Sequence, residues 1–236
     1  MINQKMRYKA VIFDLFGTLV DGYSREGYYS ALSEMTSILK APKNDFIKLW
    51  METASRRVIG DFPSLTANLE YICGELKVPV TKRQLDLARW IRFDFISLTM
   101  APRTGTIETL SHLRADGLKI GLVSNCSGEP PVIWPHTPFA PFFDVTVFSS
   151  VAGLQKPDPK IYLMATEQLG VAPQDCLYVG DGDDNELTGA AGVGMHPVLV
   201  SAAQEDVAEA IRSAPKIDDY QCPRITSLQE VLNLLK

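Results

Sequence analysis

Lys9-Ala10-Val11-Ile12-Phe13-Asp14-Leu15-Phe16-Gly17-Thr18 is the stretch whose reading decides the fold. The apolar run before Asp14 is too short for a helix and too uninterrupted for a strand with one wet face. It reads as a strand buried on both sides within a parallel sheet. Asp14 ends that run. A carboxylate there has no packing role and would be costly to bury unpaired. Gly17 then lets the chain turn.

Moving outward, the same kind of segment recurs. Lys119-Ile120-Gly121-Leu122-Val123-Ser124, Val145-Thr146-Val147-Phe148-Ser149, Cys176-Leu177-Tyr178-Val179-Gly180-Asp181 and Pro197-Val198-Leu199-Val200 are four further strand candidates. Helical patterns at Pro159–Leu169, Glu186–Ala191, Glu205–Ile211 and Ser227–Leu235 lie between or after them. Alternation of this kind predicts a parallel sheet with right-handed crossovers, an α/β Rossmann-like core.

Between about Ser24 and Leu98 the rhythm is helical only. Breaks at Ala41-Pro42, Gly60-Asp61-Phe62-Pro63 and Val78-Pro79 predict three or four short helices, with Trp50 and Trp90 as core residues. The expected organisation is a core made of residues 1–21 and 99–236, interrupted by a helical insertion at 22–98. Residues 127–141 carry five prolines and read as an irregular, stiff connection.

Composition narrows the function classes. Hydrophobic residues make up 46% and charged residues 22% of the 236, an ordinary globular balance. The formal net charge of −5 argues against nucleic acid as a partner. No apolar run has the length, about 20 residues, that a membrane span needs. Neither nucleic acid nor membrane is expected as a partner, and no feature specifies an oligomeric state. The N-terminus carries no signal-peptide core, and four scattered cysteines favour a reducing compartment, so the expected location is the cytoplasm.

Polar residues stand at corresponding places in this pattern. Asp14 ends the first strand, Ser124-Asn125 the second and Asp181 the fourth, while Lys156 precedes a helix in Gln155-Lys156-Pro157-Asp158-Pro159. Ligands of open parallel sheets bind beyond the carboxyl ends of the strands. The four motifs, Asp14-Leu15-Phe16-Gly17-Thr18, Val123-Ser124-Asn125, Lys156-Pro157-Asp158-Pro159 and Gly180-Asp181-Gly182-Asp183-Asp184-Asn185-Glu186, together resemble the haloacid dehalogenase superfamily over nearly the whole chain. The helical insertion resembles that family's small α-helical cap.

The resemblance implies a Mg²⁺-dependent hydrolase that acts on a small phosphorylated metabolite. Asp14 is then the nucleophile, esterified as an aspartyl-phosphate, with Lys156 beside it. Thr18, Ser124, Asn125 and Lys156 bind the phosphoryl group. The Mg²⁺ ligands are Asp14, the backbone carbonyl of Phe16, Asp181 and Glu186, the last directly or through water. Asp183 and Asp184 are looser candidates.

One position departs from that pattern. Phosphatases of the superfamily usually carry a second aspartate two residues after the nucleophile, as acid and base. Here it is Phe16. Two alternatives therefore stay open: a metal-free 2-haloacid dehalogenase using the same Asp14, with Arg25 as a candidate halide cradle, and a weakly catalytic phosphate-binding protein.

Overall fold

The structure, a computed structural model, describes residues 7–201 and 218–235. The helix expected at Glu205–Ile211 falls outside them. Among the described residues six strands form one parallel sheet: β1 (Ala10–Phe13), β2 (Lys119–Ser124), β3 (Val145–Phe148), β4 (Cys176–Gly180), β5 (His196–Val200) and β6 (Arg224–Ile225). Their order is β3-β2-β1-β4-β5-β6. Phe13 pairs with Leu122 on one side and Val179 on the other, so Asp14 emerges level with the ends of β2 and β4. This is where the strand order reverses direction, the place where open α/β sheets bind ligands.

Burial explains the uninterrupted apolar run. Val11 and Phe13 belong to one core cluster, whereas Ala10 and Ile12 belong to another. Both faces of β1 are dry. Alternation of side chains therefore cannot appear as alternation of polarity.

Between β1 and β2 the chain forms α1 (Arg25–Leu39), α2 (Lys43–Glu52), α3 (Ala54–Val58), α4 (Leu65–Glu75), α5 (Lys82–Thr99) and α6 (Thr106–Ala115). The first five occupy the insertion, against the expected three or four. The extra break is at Thr53, whose hydroxyl bonds back to the carbonyls of Leu49 and Trp50 and so competes with helix continuation. Helix α1 starts at Ser24, whose hydroxyl accepts the Gly27 amide, and α5 at a Thr81–Gln84 capping box. These helices enclose a cluster of their own, including Leu32, Met35, Trp50, Leu69, Ile72 and Leu85.

Trp90 is not in it. The expected core residue is 66% exposed. The buried stripe of α5 runs through Leu85, Ala88, Arg92 and Ile96, and Trp90 lies off that line. An arginine occupies the inner stripe that the apolar pattern assigned to tryptophan.

Among the described residues the remaining α-helices are α7 (Glu129–Ile133), α8 (Ser149–Ala152), α9 (Pro159–Leu169) and α10 (Glu186–Gly192). Residues of α6 and of the C-terminal segment share the core cluster of Val11 and Phe13, and residues of α9 and α10 that of Ala10 and Ile12. The expected C-terminal helix is a 3₁₀ segment, Leu228–Leu234, and β6 has no counterpart in the sequence reading. In the proline-rich stretch Pro130 and Pro131 fall in the first turn of α7, which tolerates proline, and Trp134 is buried against Phe139, Phe143 and Phe148.

Helix α5 meets α7 through a buried ion pair, Arg92 Nε to Glu129 Oε1 at 2.9 Å. Burial alone would raise the Glu129 carboxyl, but Arg92 and Ser127 hold it below its usual value. The pair's stabilisation is thus complete above the ordinary glutamate range, about 4.3, and is lost as pH falls below it. Glu129→Gln leaves Arg92 buried with its partner charge removed and is expected to cost about 3–5 kcal/mol in urea unfolding at pH 7. The double replacement of both residues by methionine should recover most of that loss.

Candidate active site

Lys156, which precedes α9 by three residues, reaches across the strand ends. Its ammonium donates to Asp14 Oδ1 at 2.5 Å and to Glu186 Oε2 at 2.5 Å. All three groups are buried. Burial alone would lower the lysine pKa, but Asp14 and then Glu186 raise it above the ordinary value, so the ammonium stays charged.

Glu186 opens α10 and turns back toward β4. Its Oε2 also accepts the Tyr178 hydroxyl at 2.7 Å, and its Oε1 accepts the Gly182 amide at 3.0 Å. The approach requires glycine at the end of β4, since a Cβ on Gly180 would lie 2.0 Å from Glu186 Oε1. Tyr162 in α9 fixes the same turn by donating to the Glu186 carbonyl at 3.0 Å.

Asp181 follows β4. Its Oδ1 accepts the Asp183 amide at 3.1 Å, and its other oxygen faces Gly17. Gly17 has φ +82°, and a Cβ there would sit 2.0 Å from Asp181 Oδ2. The turn after Asp14 therefore needs glycine for conformation and for space. Arg103 braces this turn, donating to the Gly17 carbonyl at 2.5 Å and pairing with Asp21 at 3.2 Å.

The other expected site residues sit around these acids. Ser124 ends β2 and Thr18 follows the Gly17 turn; the hydroxyls of both are buried without a hydrogen-bond partner among the described residues. Asn125 is engaged on both ends of its amide. It accepts the Lys156 amide at 2.8 Å and donates to the Lys156 carbonyl at 3.2 Å and to Asp184 at 2.8 Å. In this arrangement it ties two loops together. Asn185 stands at the cap position of α10 but makes no side-chain cap bond. Phe16 packs its ring on Tyr23, 4.7 Å between centroids, and Tyr23 stacks on Phe95 of α5 at 5.8 Å. Arg25 lies exposed at the start of α1 over Tyr29.

Oxygen atoms of Asp14, Asp181 and Glu186 all lie within 4.8 Å of one another. Fully ionised, three carboxylates against one ammonium would put the cluster two negative charges in excess. The strain shows in Glu186: burial first, then Asp14 and Asp181, push it up to about 8 despite Lys156. An all-oxygen donor set with more carboxylates than ammonium groups fits a hard divalent cation.

Sequence reasoning missed Tyr178, the Gly182 amide, Tyr162 and Arg103. It also missed Ser149, whose hydroxyl accepts the Cys126 amide beside the Ser124-Asn125 motif, and Asp218, which holds Thr188 in α10 through two bonds of 2.6 and 2.7 Å.

A profile of the haloacid dehalogenase-like hydrolases matches residues 8–194. Glyceraldehyde 3-phosphate phosphatase of Methanopyrus kandleri is 32% identical over 139 residues, 58% of each chain, so this chain spans less than two thirds of that relative's length. Hexitol phosphatase A of Escherichia coli is 28% identical over 200 residues, 84% of this chain and 85% of that one. The L-2-haloacid dehalogenase structure from Xanthobacter autotrophicus superposes with a TM-score of 0.62 at 18% identity, covering 96% and 98% of the two chains.

Two glycines separate conformation from space. Gly117 has φ +78° with nothing near a Cβ, whereas Gly17 adds the clash with Asp181. Gly117→Ala should cost about 1 kcal/mol for the left-handed backbone alone, and Gly17→Ala more than that, as read in urea unfolding at equal pH.

Proposed function

The chain belongs to the haloacid dehalogenase-like hydrolases, and we propose that it is a Mg²⁺-dependent phosphoric monoester hydrolase acting through an aspartyl-phosphate on Asp14. The observation that carries this reading is the excess of carboxylates over ammonium where oxygens of Asp14, Asp181 and Glu186 lie within 4.8 Å of one another around Lys156. A dehalogenase that attacks carbon has no use for such an excess. Relatives named as phosphatases of glyceraldehyde 3-phosphate and of hexitol phosphates support a small phosphorylated metabolite as substrate.

Asp14, Asp181 and the Phe16 carbonyl would hold the ion, with Glu186 contributing charge and a water-mediated contact because both its oxygens already accept bonds. Bound there, Mg²⁺ neutralises phosphoryl oxygens and lowers the repulsion that an anionic nucleophile meets. Asp14 attacks phosphorus as the ester P–O bond breaks, and the departing alkoxide takes a proton from water. Water then adds to the phosphoryl group, releasing phosphate and restoring the Asp14 carboxylate. Lys156 keeps one Asp14 oxygen fixed, which aims the other. Thr18 and Ser124 carry buried hydroxyls without partners among the described residues, suited to donate to phosphoryl oxygens. The helices of residues 22–98 would act as a cap, bringing Tyr23 and Phe95 over Phe16 and excluding water.

Phe16 carries no proton for the leaving group. Turnover should therefore favour esters of acidic alcohols.

The deciding assay compares Mg²⁺-dependent phosphate release from small phosphomonoesters with halide release from 2-haloacids. Phosphate release abolished by EDTA, and lost with its covalent label in Asp14→Asn, is the expected result. Halide release that survives EDTA would replace this reading with the dehalogenase. Binding of phosphate without either product would favour the weakly catalytic alternative. Phe16→Asp should accelerate alkyl phosphates by about 10²-fold or more and aryl phosphates much less, measured as kcat/KM.

A further inference from the structure

Away from the carboxylate cluster, a cavity of about 390 Å³ opens between the inserted helices and the loops after β2 and β3. Its wall includes Arg57, Asn68, Arg89 and Glu129, with Ser64, Leu65 and Thr66 at the start of α4. None of Asp14, Thr18, Ser124, Asn125, Lys156 or Asp181 lines it.

Arg57 is the telling residue. It is 8% exposed, yet it forms no ion pair with a carboxylate among the described residues. Its Nη1 donates to Thr53 at 2.7 Å and Asn68 at 3.2 Å, and its guanidinium lies 3.9 Å over the Trp50 ring. Burial pulls its pKa down to about 10, with Arg92 adding to the fall. Glu129 is the carboxylate whose field reaches it, but that carboxylate is bonded to Arg92. A guanidinium buried to this extent without its own counter-ion is expensive.

Two further features of the same wall carry the same sign. Arg89, exposed one turn before Arg92 in α5, adds a second guanidinium. Ser64 caps α4 through the Ala67 amide, which leaves the amides of Leu65 and Thr66 without intrahelical acceptors beside the cavity. Helix starts of this kind favour anions. In a chain of net charge −5 this concentration of positive groups is local.

We propose that the cavity is a binding site for a small organic anion, gripped by Arg57, with Arg89 at the mouth and the start of α4 behind. A carboxylate or phosphate group is the ligand chemistry, because either matches a planar guanidinium fork. The anion is either the far end of a bifunctional phosphorylated substrate or a free effector. Binding itself does not rest on the catalytic reading above; only its coupling to turnover does.

Malonate, which has no phosphoryl group, is the probe, titrated calorimetrically into the Mg²⁺-loaded protein. Arg57→Lys keeps the charge but loses the fork, and Arg89→Ala changes an exposed residue, so both variants should fold. Each is expected to weaken malonate binding about tenfold or more, the range for a hydrogen bond to a charged group, while Asp14→Asn leaves it unchanged. Absence of binding, or equal binding in both arginine variants, overturns the proposal. So does binding lost only in Asp14→Asn, which assigns the anion to the catalytic carboxylates. With binding established, 2-phosphoglycolate and 2-hydroxyethyl phosphate identify the source. Competitive inhibition by malonate, with KM raised by Arg89→Ala for 2-phosphoglycolate alone, assigns the site to the substrate's far end. A malonate effect on kcat for both esters assigns it to an effector.

Discussion

A single buried ammonium organises the centre of this protein. Lys156 stands between Asp14, made at the end of β1, and Glu186, made after β4, and bonds both at 2.5 Å. Without it, acids from two neighbouring strand ends would face each other in a dry space, where like charges repel strongly. The loops fall into place around that contact. Asn125 clasps the Lys156 backbone from the end of β2, and Tyr178 and the Gly182 amide also donate to Glu186. The same contact leaves more carboxylates than ammonium groups in the cluster, a donor set that could hold a divalent cation.

The core was readable because its physics is local. Strands buried on both faces must be continuously apolar, and the polar residues that end them stand out against that background. What could not be read has equally physical reasons. Continuous burial hides which face each residue serves, so Tyr178 looked like another apolar position in β4 although its hydroxyl holds Glu186. Backbone donors such as the Gly182 amide leave no trace in residue types. Strand β6 spans two residues, too few for any periodicity. The capped starts of α1 and α5 were local signals, whereas the Thr53 break depended on a side chain bonding backward along its own helix.

The inserted helices show where hydrophobic patterning misleads. Arg92 takes the inner stripe of α5 because Glu129 of α7 stands opposite, and Trp90 is left outside. Aromatic faces line this charged interior. Arg92 lies 5.2 Å over Tyr28 and 5.5 Å over Trp50, so two guanidinium groups share one ring at Trp50. Cation–π attraction softens their desolvation and their mutual repulsion. A charge pattern read along the helix alone shows a solvated face, because the partner lies 37 residues away in sequence.

Asp218 gives the site a temporal dimension. It accepts two bonds from Thr188, and its amide donates to the Gly182 carbonyl at 2.9 Å, so it steadies the loop that carries Asp181. Asp14 leaves a ribosome 204 residues before Asp218 does. Lys156, Asp181 and Glu186 emerge between them. During vectorial synthesis, in which N-terminal parts leave first, Asp14 waits for more than two hundred residues before its surroundings are finished.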